Sequence, residues 1–457
     1  MISATADAAS SAERLAAWSA ALKWRDIPEH QRSLVALRVL DTVGLVLAGY
    51  ETQAARAALA VARSQRGAPE SALLFSGLRV GAATAALVHG TIAHCRDFDD
   101  TFPDSVIHPG STMVAAALAV GEAKSRPDEE IATAILIGYE AAARIGAVAG
   151  RRFHARGFHA TGVVGPLGAA LAAARLYGLP AEATMHALGL AASMAGGLMA
   201  FVDDGAWSKW LHAGWSAHSG VMAAQFAGQG FVGPRGVLDG RHNLFSAFID
   251  APAPGADALV GDLGRRWHSS VALFKRYPCA HVIQPYIDAA IELRRRHGLR
   301  PSGIERVACA IAPWAVPIVC EPRAPKLQPA SEMDAIASLP YQVAVALVDG
   351  RVDLDALAPA CRTRAEVLSL AARIGHRADD ALGQDFDGSL LIQLDSGEAL
   401  QCPVVSAPPD RAKLLDKFRA NARRAVNERT LAALEEAILG SALPKFREIA
   451  MALRDNV

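Results

Sequence analysis

The densest run of reactive side chains in this sequence is HGTIAHCRDFDDTFPDSVIHPGS, residues 89–111. It contains His94, Asp97, Thr101 and His108, whose imidazole, carboxylate and hydroxyl groups are those that proteins use to transfer protons. If the preceding helix continued as far as Thr101, His94, Asp97 and Thr101 would lie on one face at i, i+3 and i+7. The loop that follows would carry His108 to the same end. The segment therefore predicts an acid–base site at the end of a helix.

Two other interpretations of this segment are weaker. A merely polar helix end is unfavourable, because four aspartates at the negative end of a helix dipole need compensating partners. DDTFPD also resembles the aspartate-rich magnesium motif of all-helical isoprenoid synthases, which requires a second acidic motif on a facing helix. The pairs Asp203–Asp204 and Asp379–Asp380 do not reproduce that motif, and only 6% of the residues are aromatic. We therefore expect no metal ion.

Two further segments place cations near the starts of apolar helices. RRFHARGFHATGVVGPLG (151–168) sets arginines and His159 before an Ala/Gly helix that should begin near Ala160 or Thr161. A helix N-terminus beside cations is a natural anion site. DDGAWSKWLHAGWSAHSG (203–220) sets Lys209 three residues before His212. Lys209 could extend along the surface, but in a partly buried pocket it would supply positive charge or a depressed pKa.

The last candidates lie later in the chain. FKRYPCAHVIQPYIDAA (274–290) contains Lys275, Arg276 and His281 at a change of sequence texture, where small-ligand clefts tend to form. SLPYQVAVALVDG places Tyr341 before an apolar helix, a position that by itself indicates packing.

Composition excludes several classes of partner. The 46 basic and 46 acidic residues cancel without a strongly basic block, which argues against nucleic acid. Apolar runs such as MVAAALAV are shorter than the roughly 20 residues of a membrane span, and the N-terminus lacks a secretory pattern. The six scattered cysteines predict buried thiols in a reducing compartment. We therefore expect a cytoplasmic protein that does not bind membranes.

The patterning predicts a mostly α protein. Helical periodicity covers 28–49, 52–65, 78–97, 110–124, 128–150, 158–178, 181–200 and 206–229. Later the texture becomes mixed, with a strand at 304–313, a hairpin at 388–405 and helices near 283–297 and 335–349. We expect a large all-helical domain (1–272), a smaller α+β lid domain (273–408) and C-terminal helices (409–457) that return to the helical domain.

With these pieces in order, the sequence resembles the MmgE/PrpD family. The similarity covers nearly the whole chain through HGTIAHCRDFDDT with HPGS, GFHATGVVGPLGAA, WSKWLHAGWSAHSG, FKRYPCAH, SLPYQVAVALVDG and KFRANA. It implies a helical domain with a lid, a homodimer, and an active site between domain and lid. The implied catalytic residues are Asp97, Thr101, His108, His159, Lys209, Lys275 and Tyr341, and we assign substrate binding to His94, Arg276 and His281.

The resemblance implies a lyase that needs no cofactor. Its substrate would be a small di- or tricarboxylic acid, dehydrated as 2-methylcitrate is or decarboxylated as cis-aconitate is, through a carbanion that cationic groups stabilise. No dinucleotide, P-loop or iron–sulfur motif is present. The alternatives are an epimerase of an imino- or aminodicarboxylate such as iminodisuccinate, and a non-catalytic helical scaffold that binds anions. Two departures, a Thr101–His108 loop one residue longer and Gln284 in place of a histidine, bear on the substrate.

Overall fold

The computed structural model describes residues 9–454, except 66, 75, 384 and 408–409. The described residues are 61% helical and form only small sheets, which confirms the predicted mostly α fold. The first helices are α1 (Ser11–Ala21), α2 (Glu29–Gly49), α3 (Gln53–Ser64), α4 (Ala82–His94), α5 (Gly110–Ala123), α6 (Asp128–Ala149), α7 (Arg152–Ala155), α8 (Ala160–Tyr177), α9 (Ala181–Ser193), α10 (Phe201–Asp204), α11 (Ser208–Gly228), α12 (Leu244–Ile249) and α13 (Ala256–Val260).

A four-stranded sheet occupies the later part of the chain. Its strands are β3 (Ile304–Ile311), β4 (Ile374–Ala378), β5 (Gly388–Leu394) and β6 (Ala399–Val404), after a short ribbon of β1 (Ser71–Ala72) and β2 (Arg79–Val80). The order is β4-β3-β5-β6, with β3 and β4 parallel and the other neighbours antiparallel. The remaining helices are α14 (Gln284–His297), α15 (Val316–Val319), α16 (Arg323–Leu327), α17 (Glu332–Ile336), α18 (Leu339–Asp349), α19 (Pro359–Arg362), α20 (Ala365–Ala372), α21 (Arg411–Ala422), α22 (Glu428–Leu439) and α23 (Phe446–Arg454).

Small residues bring the central helices α4, α5, α8 and α11 close together. Gly90 of α4 faces Gly214 of α11, and a Cβ added to Gly90 would lie only 2.8 Å from the Gly214 Cα. Backbones can approach this closely only where neither residue has a side chain. The resulting compact body is the rigid frame on which the reactive segments are mounted.

The helix predicted over 78–97 is shorter than expected, and its continuation to Thr101 is wrong. The helix begins at Ala82, because residues 79–80 pair with 71–72 in the small ribbon. It ends at His94, because Asp97 takes a left-handed conformation with φ of 46°. Thr101 instead forms an antiparallel bridge with Leu273. The reactive groups converge through a turn and a bridge rather than along a helix face.

The sheet was only partly predictable. The strand over 304–313 and the hairpin over 388–405 are confirmed as β3 and as the β5–β6 pair. β4 was missed because it is a five-residue strand at the edge of the sheet, and its sequence IGHRA is half polar.

The C-terminal helices pack against the helical body. A Cβ added to Gly44 of α2 would lie 2.9 Å from the ring of Phe418 on α21. This contact places α21 directly against α2. The predicted domain limits themselves stay predictions, and the limit between 408 and 409 lies outside the described residues.

One described helix, α6, is long and apolar enough to cross a membrane by length and composition. The sharply bent pair α2 and α3 also passes this test if the two helices are counted as one span. Within α6, 89% of the apolar window is buried inside the protein, as in the core helix of a globular fold. The six cysteines are free thiols, four of them buried. The cytoplasmic location stays a prediction.

Candidate active site

Six of the residues singled out in the sequence line one cavity of about 100 Å³, among them His281. The others are Asp97, His108, His159, Lys209 and Lys275. This volume is well below the ~300–1000 Å³ of ordinary ligand pockets, so the cavity suits a small molecule. A larger cavity of about 520 Å³ lies beside α23. Two of its charged residues, Arg79 and Glu122, form an ion pair with each other at 2.8 Å. The reactive groups singled out in the sequence converge in the smaller cavity instead.

Asp97 is the centre of the smaller cavity. Its Oδ1 accepts hydrogen bonds from the ammonium groups of Lys209 at 2.6 Å and Lys275 at 2.7 Å. Lys275 also donates to the Asp97 carbonyl oxygen at 2.7 Å. All three side chains are buried. Two buried cations sharing one carboxylate oxygen leave an excess of positive charge, which suits an anionic ligand.

The bridge between Thr101 and Leu273 brings Lys275 to Asp97. Each of these residues donates its backbone N–H to the carbonyl of the other, at 2.9 and 2.8 Å. Gln284 fixes the next part of the loop, because its Oε1 accepts from the backbone N–H groups of Arg276 and Tyr277. The noted departure from the family therefore holds the backbone beside Lys275 in place and does not line the cavity. Lys209 is placed from the other side by the first turn of α11.

Burial and charge act against each other on the pKa values of this cluster. Burial alone would raise the pKa of Asp97, but Lys209 and Lys275 hold it well below its usual range. Burial lowers the pKa of Lys209, and contact with Asp97 opposes that shift. Asp97 therefore remains ionised and favours the charged form of the lysine.

His108 presents one ring nitrogen towards Asp97. Its Nδ1 lies 3.0 Å from the Asp100 carbonyl and 3.2 Å from Thr101 Oγ1. A carbonyl only accepts hydrogen bonds, so the tautomer assigned from these contacts carries its proton on Nδ1. The Nε2 lone pair then lies 3.9 Å from Asp97 Oδ1. Burial holds the pKa of His108 well below its usual value, so the free protein has a neutral imidazole here.

The other aspartates of the segment position these groups. Asp99 contacts His94 Nδ1 at 2.8 Å and accepts from Ser111 at 2.6 Å. Asp100 accepts from Tyr139 and from the backbone N–H of Gly110, at 2.8 Å each. These carboxylates are buried and have partners, so the segment is not merely a polar helix end.

His159 occupies the N-cap position of α8, at the predicted helix start. Its Nδ1 lies 3.1 Å from Nδ1 of His212, so one of the two nitrogens carries a proton and the other accepts it. Its Nε2 is buried and has no hydrogen-bond partner among the residues that the structure describes. Burial, reinforced by the charge of Lys209, holds the pKa of His159 well below its usual value.

Four predicted site residues do not line the cavity. Thr101 and His94 lie behind it, where they contact His108 and Asp99. Arg276 is ion-paired with Asp288. Tyr341 donates its hydroxyl to the Ala356 carbonyl at 2.6 Å, and this bond would have to break before Tyr341 could reach a substrate. Its assignment to the site stays a prediction.

Sequence reasoning missed Lys326 and His154, which also line the cavity. Burial lowers the pKa of His154 to about 4. His154 lies in the segment RRFHARGFH but was given no role. Lys326 lies in EPRAPKLQPA, where no pattern indicates a site.

His94, Asp97, Asp99 and His108 offer ligand atoms that all lie within 4.8 Å of one another, as a metal site would. The two carboxylates are already engaged, because Asp97 is shared by two ammonium groups and Asp99 by His94 and Ser111. A divalent cation would be repelled by those ammonium groups. The arrangement favours an anion over a metal ion.

The described part of the chain is thus a helical body with a small sheet and a buried cavity lined by three lysines and four histidines. Two family models match the chain, the MmgE/PrpD N-terminal domain over residues 13–256 and the MmgE/PrpD C-terminal domain over residues 277–440. This chain therefore belongs to the MmgE/PrpD family.

Several similar proteins carry the name cis-aconitate decarboxylase. The protein from Aspergillus terreus is 24% identical over 93% of this chain and 91% of its own length. The human protein is 29% identical over 65% of this chain and 62% of its own length. The cis-aconitate decarboxylase-like protein oryM of Aspergillus oryzae is 24% identical over 92% of each chain. These relatives support assignment of the chain as a lyase of this family.

Proposed function

We propose that this protein is a lyase that acts on a small polycarboxylic acid without a cofactor, by decarboxylation of an acid of the cis-aconitate type. The observation that carries the proposal is the contact of Lys209 and Lys275 with one carboxylate oxygen of Asp97 inside a cavity lined by histidines. The names of the relatives favour decarboxylation over dehydration.

The two lysines supply charge where the reaction needs it. In decarboxylation, the bond to the departing carboxylate breaks and carbon dioxide leaves. The electron pair is delocalised over the neighbouring double bond towards a remaining carboxylate. Ammonium groups placed beforehand at that carboxylate stabilise the developing negative charge most strongly in a site from which water is excluded. Lys209 and Lys275, held by Asp97, fill this role.

A proton must then bond to the carbon beside that remaining carboxylate, while the double bond shifts to the carbon that lost carbon dioxide. His108 is the proposed donor, because its Nε2 is the nitrogen free to take up a proton near Asp97. The imidazole is neutral in the free protein, and a bound polyanion would raise its pKa and load it with a proton. The reaction consumes one proton from solvent for each carbon dioxide released.

The other proposed functions have less support. Dehydration would use the same charge stabilisation, with a hydroxyl as the leaving group, and stays the second choice. None of the similar proteins cited above is named an epimerase. The convergence of Asp97, His159, Lys209 and Lys275 in one cavity counts against a non-catalytic scaffold.

The test is proton NMR of the EDTA-treated protein in heavy water, with cis-aconitate, 2-methylcitrate, citrate and iminodisuccinate in parallel. We expect cis-aconitate to lose carbon dioxide and to gain one deuterium. Lys209→Met and Lys275→Met should abolish turnover, whereas Lys23→Met, at an exposed lysine, should not change it. Loss of water would assign a dehydratase, and deuterium exchange without a new skeleton an epimerase. No reaction with any of the four acids would contradict the proposal.

A further inference from the structure

Lys326 is a buried cation that the mechanism above does not use. It lies on α16, is 5% exposed and lines the same cavity as Asp97, Lys209 and Lys275. Its ammonium group donates to the Ile318 carbonyl at 2.8 Å. Among the described residues, no carboxylate lies within ion-pairing distance of it. Asp334, which also lines the cavity, accepts hydrogen bonds from the backbone and hydroxyl of Ser331 through Oδ2.

Such a cation is costly unless something else compensates it. A neutral carbonyl offsets only part of the desolvation of an ammonium group. Burial lowers the pKa of Lys326 to about 8, although the charge of Asp334 opposes part of that shift, so most of the side chain remains charged near pH 7. An anion that enters the cavity would supply the missing partner.

The charges of the cavity fall into two sets. Lys209 and Lys275 already share Asp97, whereas Lys326 has no ion-pair partner among the described residues. Three lysines against Asp97 and Asp334 leave a net charge of one positive (three minus two), with the histidines neutral. The cavity therefore contains two sets of cations, the Lys209–Lys275 pair and Lys326, each of which would stabilise a carboxylate.

The chemistry of decarboxylation explains why two such sets are useful. A carboxylate that leaves as neutral carbon dioxide loses its charge in the transition state. A cation paired with it would stabilise the bound substrate more than the transition state. Binding energy should instead come from carboxylates that remain in the product. Two anchored carboxylates and one free to depart make three.

We propose that Lys326 binds the second carboxylate that remains in the product, so that a substrate needs two anchored carboxylates besides the one that departs. The inference rests on the proposed function and specifies its substrate class. Lys209 and Lys275 bind the carboxylate that gains charge. The third carboxylate has no cation of its own and departs.

The test measures binding of acids that cannot be turned over. Tricarballylate has three carboxylates but lacks both the double bond and the hydroxyl that the reactions need. Butyrate is the same molecule with its central carboxylate and one terminal carboxylate replaced by hydrogen. Calorimetric titration with each acid compares the wild-type protein with Lys326→Met, which keeps the length of the side chain and removes its charge. Lys23→Met is the surface control.

We expect Lys326→Met to weaken tricarballylate binding by about 10- to 100-fold, the range for a lost charged hydrogen bond. Binding of butyrate should change less than about 3-fold, because its one carboxylate binds at Lys209 and Lys275, which are untouched. The melting temperature should stay equal or rise, since a buried cation without an ionic partner is removed. An equal loss for both acids, no loss for either, or a wild-type protein that does not bind tricarballylate would overturn the proposal.

This experiment is independent of turnover. If the protein fails to convert cis-aconitate but shows the selective loss, the role of Lys326 stands and the proposed reaction is wrong. If it decarboxylates cis-aconitate but Lys326→Met binds both acids normally, the reaction stands and the role of Lys326 is wrong.

Discussion

Among the single residues of the site, Asp97 has the most contacts with the cations. Its Oδ1 holds two lysines at one point, and its backbone lies in the left-handed region with φ of 46°. Aspartate and asparagine adopt that region more readily than most residues with side chains. The carboxylate compensates the buried ammonium groups, and the backbone conformation aims it into the cavity.

Replacing the carboxylate with an amide separates these two contributions. Asp97→Asn keeps the shape and tolerates the positive φ, but it leaves Lys209 and Lys275 without a counter-charge. We expect kcat to fall by about 100-fold or more, because the two cations can no longer be held together. Steady-state kinetics measure the effect. Activity within a few-fold of wild type would show that the charge of Asp97 is not needed.

The histidines lead to a second prediction about single residues. Burial keeps the pKa values of His108 and His159 well below normal, so both rings are neutral in the free protein near pH 7. A bound polyanion raises these pKa values, so the protein should take up roughly one proton when it binds tricarballylate. Binding should therefore become tighter as pH falls from about 8 towards about 6.

Calorimetry in two buffers of different ionisation enthalpy measures that uptake. His159→Gln should reduce the uptake, whereas His242→Gln, on the surface, should leave it unchanged. Identical enthalpies in both buffers would contradict the prediction.

The sequence indicated the reactive residues better than it indicated their placement. Asp97, Lys209, Lys275 and the cavity histidines stand out because titratable groups are unusual beside Ala/Gly-rich helices. Lys326 has no such signal, because it reaches the cavity only through the tertiary packing of α16. The opposite holds for Tyr341, which the resemblance to the family indicated as a site residue. Its hydroxyl donates a hydrogen bond to a backbone carbonyl, and no local sequence pattern reveals that contact.

Among the helices, α21 supports the turn that follows α4, through contacts of Lys417. Lys417 donates to the Phe98 carbonyl at 2.7 Å and contacts Asp41 of α2 at 2.6 Å. Its ammonium group also lies 3.9 Å from the centre of the Phe98 ring. The C-terminal part of the chain therefore fixes the loop that carries Asp97.

Removing the contacts of Lys417 should affect both stability and activity. Lys417→Met leaves Asp41 buried without its partner, which should lower the free energy of unfolding by about 3–5 kcal/mol. Adding Asp41→Leu should restore much of the stability. Activity should stay low in the double variant, because Phe98 is still released. Chemical denaturation and kcat measure the two effects. Full recovery of activity with stability would show that Lys417 does not position the loop.

The placement of this loop could not be predicted from the sequence. Helical periodicity continues past His94, and only the left-handed backbone at Asp97 and the Thr101–Leu273 bridge end it. Both features depend on partners from distant segments, Lys275 and Lys417 among them. Val106 has φ of 56° and lines the cavity, so the Thr101–His108 loop also shapes the pocket.

At the scale of the whole molecule, α11 has two faces with different environments. One face buries Lys209 in the cavity. The opposite face exposes Trp207, Leu211, Trp215 and Phe226, each by more than 40%. These positions lie within about 100° of one another around the helix. Such a continuous apolar stripe indicates a protein interface, and we expect a second copy of this chain to cover it.

The expected homodimer can be tested on this stripe. Leu211→Glu should convert the dimer to a monomer, because a buried charge opposes association at an apolar interface. Val61→Glu, at an equally exposed residue of α3, is the matched control. Light scattering after size exclusion measures the mass. A wild-type monomer, or a dimer that Leu211→Glu leaves intact, would contradict the expectation.

The most direct test of the central claim is a crystal structure of the protein soaked with tricarballylate. The claim is that the cavity around Asp97 binds the carboxylates of the substrate. We predict one carboxylate within hydrogen-bonding distance of the Lys209 and Lys275 ammonium groups, and a second at Lys326. Tricarballylate bound only beside α23, or absent from the Asp97 cavity at saturating concentration, would contradict the claim.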